Sequence, residues 1–386
     1  MILTKKHLLL FLIGLLFGLL ILGTNFTKFN LVGPLYLFDL LFIMLGLSVI
    51  FFLKPVLPYK PIFFILSLSL FYLAYSFSFD IRLDLIIRQY ALFGYLIISY
   101  VIFTSLLNRT NIDFLIIKII QLSIIGFLIQ VIFFIYLNIT SRFDFNGYNY
   151  WSPVVIMTII TYAAYVLTYH ERFKKWFLFL FITFISTTLG HSSVFLAVFF
   201  LPFALLFVRM KLKYKVIVIF LGLIITLLLY IFVPSFSDPN AMWRVYYWIM
   251  TLKNILIDHY ALFGNGFGIP YANDEIVFFL QVVQGATTRL GEGYESYLTP
   301  FHNSFITIFY HIGFLPGLFI FYPIYRFIKS HKILIQYKEL KFLFIALIGI
   351  SIWSSLNVVL ELPHSSSYYW TIYFALLFKM KEVLTR

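Results

Sequence analysis

The chain has 386 residues, 62% of them hydrophobic and 11% charged, with a mean hydropathy of +0.98 and a formal net charge of +13. A soluble domain is about half apolar and about a quarter charged, so a soluble globular protein is excluded and a polytopic membrane protein is expected. The absence of cysteine excludes disulfides and thiolate metal sites.

In a soluble protein such a positive balance would point to nucleic acid. In a membrane protein it is the ordinary excess of Lys and Arg on the cytoplasmic side, so nucleic acid is not an expected partner. The length accommodates roughly a dozen spans of about 20 residues, with no room for a soluble second domain. Residues 1–386 are therefore read as a single all-α membrane domain.

Lys5 and Lys6 precede the first apolar run, as in a signal peptide, but no small-x-small cleavage site follows, so this run is read as an uncleaved first span. Apolar runs and their flanking charges then predict twelve spans, at 8–23, 31–53, 61–79, 85–107, 114–137, 152–169, 176–190, 193–208, 216–233, 303–325, 342–360 and 366–378. The seventh and eighth are short and joined only by Leu189–Ser192, which suits a helical hairpin that stops short of crossing.

Seven of the 28 Lys and Arg residues flank the odd-numbered connections or lie on that side: Lys28, Arg82, Arg88, Arg142, Arg244, Lys253 and Arg289. All others lie beside the even-numbered connections and the termini. That bias places both termini in the cytoplasm and the long connection between spans nine and ten, 234–302, outside. The outward cations are the informative ones, because they run against the rule, and five of the seven are arginine. A guanidinium fork suits bidentate binding of phosphate oxygens, whereas lysine is a point charge. The competing reading is local pairing with acids such as Asp80, Asp84 or Asp144.

Within the spans, Asp39, Arg88 and Lys118 are the main ionisable groups. Lys118 and Arg88 can snorkel to the two edges, and Asp39 alone does not make a proton path.

The 234–302 connection holds Arg244, Arg289, His302 and six of the fifteen acidic residues, Asp238, Asp258, Asp274, Glu275, Glu292 and Glu295. Asp238-Pro239 is a helix start, and Ala241 to about Tyr260 reads as an interfacial helix rich in Trp and Tyr. Arg244, Trp248 and Thr251 share one face of it. The Gly264–Gly268 stretch ends that helix. It lacks the Lys-Ser/Thr and the preceding strand of a nucleotide loop, so it reads as a tight turn back toward the membrane. Glu275–Gln284 is a second short apolar segment. Pro300 then breaks the chain, and His302 stands at the outer mouth of the tenth span, whose Ser304, Thr307 and His311 share a face. Histidine is suited to take a proton from a hydroxyl near neutral pH, although a histidine at a helix entrance can equally be a hydrogen-bonded structural group.

Two segments together resemble the O-antigen ligase and O-antigen polymerase family of bacterial surface-polysaccharide enzymes. One is Arg244-x3-Trp248 followed by Leu262–Gly268, LFGNGFG. The other is His302-Asn303-Ser304-Phe305 running on to Gly313 and Gly317. Arg142-x4-Gly147 leading to Ser152-Pro153 is a weaker third element. The likeness covers about 100 residues well, and the whole chain by topology.

It implies a metal-independent membrane glycosyltransferase, without cofactor, whose donor is a glycan on undecaprenyl pyrophosphate. It implies Arg244 as a pyrophosphate clamp and His302 as the general base. Where the family often carries Ser-Arg near the outer end of the seventh span, this chain has Gly190-His191-Ser192. Completion of the substrate site is therefore expected from Arg82, Arg88, Arg142 or Arg289, with His191, Trp248 and Asn303 beside them. The expected partners are the lipid-linked glycan, membrane lipids and, for a polymerase, a chain-length regulator and a flippase. A polymerase is favoured. A ligase acting on lipid A core, a polysaccharide flippase and a non-catalytic scaffold are the rivals, and the apolar spans argue against the flippase.

Overall fold

A computed structural model describes residues 30–32, 35–52, 60–78, 82–139, 153–187, 192–211, 239–257, 262–282 and 297–385, with scattered positions between 214 and 228. The regular secondary structure among the described residues is helical apart from one short antiparallel pair, β1 (Asn30–Val32) with β2 (Leu35–Tyr36).

The helices of the first half are α1 (Leu37–Phe52), α2 (Lys60–Ser76), α3 (Leu83–Leu107), α4 (Ile112–Ile139), α5 (Pro153–Tyr169), α6 (Arg172–Thr187), α7 (Ser192–Phe199) and α8 (Leu201–Arg209). They coincide with expected spans two to eight. Proline at the start of α5 sits where its missing N–H is not needed. Within the described residues, two stretches, Leu83–Leu107 and Ile112–Ile132, are long and apolar enough to cross a membrane. The first expected span lies outside the described residues, and so does most of the ninth.

Three of the expected spans differ in form. Span two begins with the β pair, so its helix starts only at Leu37 and Asp39 falls in the first helical turn rather than deep in a span. Span eight is divided at Phe200, where Pro202 opens α8. Span ten is not one helix. It breaks at Gly313, whose φ of 90° is outside the helical region, into α11 (Ser304–Ile312), α12 (Phe314–Gly317), a 3-10 turn (Leu318–Phe321) and α13 (Tyr322–Lys329). A short α14 (His331–Leu334) leads to α15 (Lys338–Ser354) and α16 (Pro363–Thr385).

The core is built from α3, α5, α15 and α16, packed largely through aromatic rings. Tyr165 and Tyr169 of α5 meet Phe342 of α15, and Tyr100 and Phe103 of α3 meet Phe374 and Phe378 of α16. Edge-to-face and offset ring pairs such as these favour defined helix positions beyond mere burial. Peripheral helices instead turn apolar stripes outward. Leu40, Met44, Leu47 and Phe51 are exposed on α1, Phe173, Phe177, Leu180 and Phe184 on α6, and Ile117, Leu128 and Ile135 on α4. The helical spacing of these residues makes continuous apolar faces.

The two ends of the bundle carry different polar contacts. At one end Lys379 of α16 bridges Asp113 at 2.6 Å and Glu382 at 3.0 Å, tying the start of α4 to the end of α16. The opposite end holds the start of α3, the end of α2 and the 262–271 segment of the long connection. The candidate site lies there.

Candidate functional site

The long connection opens with α9 (Pro239–Ile257), which begins at the expected proline; Asp238 lies outside the described residues. A second helix, α10 (Asp274–Val282), stacks on it through Tyr246 and Phe279, whose ring centres are 3.7 Å apart. α9 straps the chain that leads into α11. The Tyr247 hydroxyl donates to the Thr299 carbonyl at 2.9 Å, and the Trp248 indole N–H donates to the Phe301 carbonyl at 2.5 Å.

Those two bonds flank His302, which sits at φ 51°, in the left-handed region. A non-glycine residue held there costs on the order of 1 kcal/mol, and it persists because its neighbours over-determine the backbone. On the other side Asn303 caps α11, its side-chain oxygen accepting from the N–H groups of Phe305 and Ile306 at 3.1 Å each. His302 is thus presented by a braced, strained backbone.

Trp243 joins the two residues expected to do chemistry. Its indole lies 5.2 Å from the His302 ring, and the Arg244 guanidinium carbon is 5.7 Å from the same indole centre. Arg244 also donates from Nη1 to the Leu356 carbonyl at 3.4 Å. Arg244 and Trp248 fall one turn apart on the same helix, as the spacing predicts. Arg244 meets Trp243, and Trp248 is engaged with the backbone ahead of His302.

The Leu356 carbonyl belongs to the α15–α16 turn, which carries a carboxylate that the sequence reading passed over. Glu361 accepts from Ser304 Oγ at 2.5 Å and from Thr307 Oγ1 at 2.7 Å, both on α11, and from its own turn at Val359 N, 3.1 Å. Burial pushes its carboxyl above the usual range, while the two hydroxyl donors hold it down. The signal in the sequence was an acid in a short connection between two apolar runs.

The glycine-rich turn turns out to be a clamp. Gly264 N–H donates to the Tyr72 hydroxyl at 2.9 Å, Phe267 N–H to Ser76 Oγ at 2.7 Å and Gly268 N–H to Gln89 Oε1 at 2.6 Å. Asn265 and Gly266 donate to the Tyr310 and His311 carbonyls. These N–H groups are therefore committed to protein acceptors, which agrees with the tight-turn reading and leaves no phosphate cradle. A Cβ on Gly264 would overlap the His311 carbonyl, and one on Gly313 would lie 2.7 Å from the Leu262 carbonyl. The two glycine-marked halves of the resemblance meet backbone to backbone at this crossing.

Phe267 plugs the clamp, fully buried against Tyr90, Phe93 and His311. His311 Nδ1 lies 2.6 Å from the Gly266 carbonyl, which can only accept, so that nitrogen carries the proton; Nε2 lies 3.4 Å from the Tyr271 hydroxyl.

Two of the arginines expected on the outer side hold carboxylates, the outcome that local pairing predicts. Arg82 makes a two-pronged contact with Asp84, at 2.6 and 3.1 Å, on an exposed surface. Arg88 lies 3.7 Å from Asp39 and covers the Tyr36 ring at 4.6 Å. Asp39 in turn accepts from the Tyr95 hydroxyl at 2.5 Å and the Tyr36 N–H at 2.9 Å. Arg142, Arg289 and His191 lie outside the described residues. Among the described residues no three His, Asp or Glu side chains gather as a metal site would require.

The chain matches no model of a known protein family, and no curated protein matches it.

Proposed function

We propose that this chain is a polytopic inner-membrane glycosyltransferase, an O-antigen or capsular repeat-unit polymerase. It moves a glycan from undecaprenyl pyrophosphate to the next lipid-linked repeat. In this reading the chain makes about a dozen membrane passes, with both termini cytoplasmic and 234–302 on the outer face. The apolar composition and the outward apolar stripes of α1, α4 and α6 support a lipid surround, since a water-soluble protein would cover faces of that extent. Lys379 and Asp113 at one end, and the Arg244–His302 corner at the other, agree with the two sides assigned by charge.

The observation that carries the reading is Trp243. One indole contacts both the arginine and the histidine that the resemblance assigns to pyrophosphate and acceptor. In the reaction the acceptor hydroxyl gives its proton to His302 and its oxygen bonds to the anomeric carbon. The bond from that carbon to the pyrophosphate oxygen breaks, and the leaving charge is met by Arg244. Preorganised donors in a partly dehydrated site are worth more than in water, which is why the braced backbone at His302 matters.

Deletion of the gene tests this. Loss of a polymerase leaves lipopolysaccharide with single repeats. Accumulation of full-length, unattached lipid-linked glycan would instead identify a ligase, and unchanged glycan would overturn both.

A further inference from the structure

Resting on that reading, we infer that Glu361 is the positioning carboxylate of the site. It fixes the start of α11, and with it His302, against the turn that also receives Arg244. Three residues converge on this turn from two elements, Ser304 and Thr307 of α11 and Arg244 of α9. Ser304 Oγ accepts the N–H groups of Val359 at 2.9 Å and Leu360 at 3.0 Å, so its own hydrogen is directed at Glu361 Oε2, 2.5 Å away. Thr307, one helical turn further along α11, donates to Oε1 at 2.7 Å. Arg244 reaches the same turn at the Leu356 carbonyl. The hydroxyls of Ser304 and Thr307 and the Val359 N–H favour the ionised form of Glu361, against the burial that raises its carboxyl.

Ser304 is two residues beyond His302, so the negative charge lies beside the helix entrance that the histidine occupies. As the acceptor proton arrives, His302 becomes an imidazolium, and a carboxylate held at the same helix entrance through Ser304 favours that form over the neutral ring. Glu361 therefore acts twice through His302, by geometry and by charge, without touching substrate. The other charged and titratable groups at this corner are Arg244 from α9 and Tyr271, whose ring packs on Phe301 at 4.9 Å, with His311 of α11 behind it at 3.4 Å.

The test uses the full chain in proteoliposomes. The probe is undecaprenyl-pyrophosphate-linked repeat units extracted from a strain lacking the gene, and the readout is transfer rate against pH. His302 must be neutral to accept a proton, so the wild-type rate falls on the acidic side. With Glu361→Gln, kcat drops about tenfold or more, KM for the lipid-linked donor stays within about twofold, and the acidic limb moves down by about half to one pH unit. Glu361→Asp keeps the limb near its wild-type position.

A limb that stays in place in Glu361→Gln, or a rise in KM in place of the fall in kcat, overturns the role of Glu361 while leaving the enzyme reading intact. Absence of transfer by the wild type overturns the enzyme reading itself. Thr307→Val keeps the carboxylate and removes one α11 donor. It is expected to lower kcat about threefold to tenfold with the limb unmoved, and an unchanged kcat in this variant likewise overturns the positioning role, even if Glu361→Gln fails to insert.

Discussion

Two corners of the long connection meet the bundle in opposite ways. The Gly264–Gly268 turn spends its N–H groups on Tyr72, Ser76 and Gln89 of α2 and α3 and on the carbonyls of α11, and its glycines allow backbones to cross. The His302 corner gathers ionisable side chains around an indole and a strained residue. The resemblance named both stretches without distinguishing them. One is a lock, and the other is where chemistry is expected.

The largest effect should separate them most clearly. His302→Ala and Arg244→Ala should each lower glycan transfer by about 10²- to 10⁴-fold, with thermal unfolding in detergent unchanged. Arg82→Ala should do little, because its exposed pair with Asp84 is worth under about 1 kcal/mol. Near-normal glycan ladders in both the His302 and Arg244 variants would remove the distinction between the corners.

Next come the crossing glycines. Gly264→Ala forces a methyl into the His311 backbone and Gly313→Ala holds a side chain at φ 90°, so each should cost about 2–3 kcal/mol. Here stability and activity fall together, read by the unfolding midpoint and by transfer. Full stability in Gly264→Ala would show that the crossing is looser than described.

A smaller loss follows from Ser76→Ala or Gln89→Ala, each of which leaves one turn N–H without its acceptor and costs about 1–2 kcal/mol. The two changes should be non-additive, since both loosen the same turn. Measured unfolding midpoints in the single and double variants decide it.

The smallest effect concerns pH. Burial raises the Glu361 carboxyl above its unfolded value, so protonation favours the folded state. That contribution is complete below about pH 4, the unfolded range, and is lost as pH rises through the raised folded value. The wild-type unfolding midpoint should therefore fall across this window more than that of Glu361→Gln. Parallel curves would show that the group titrates normally.

Local patterns carried much of this fold. The proline at 239 placed the start of α9, the charge-flanked apolar runs placed α1 to α8, and Pro300 placed the start of α11. Three things were not legible. Gly313 breaks span ten where the Leu262 backbone passes so close that a Cβ would lie 2.7 Å from its carbonyl, a neighbour from another part of the chain. Asp39 looked deep in an apolar run because the β pair before Leu37 gave no hydrophobic alternation to reveal it. Glu361 gained its place from Ser304 and Thr307, more than fifty residues away, and periodicity reports only neighbours along one element. The arginines show the same limit. Sequence could name Arg82 and Arg88 as outward cations, but only the arrangement in space shows that carboxylates already hold them.

The crossing of Gly264 and Gly313 also sets an order of assembly. Tyr72, Ser76 and Gln89 are synthesised about 190 residues before the turn that they receive. Until that turn and α11 have both been made, the polar groups of α2 and α3 must find temporary partners. The α2–α3 seam therefore gains these contacts only after the turn has been made. A nascent chain stopped before residue 262 would remain ajar along the α2–α3 seam, a ready target for quality-control proteolysis.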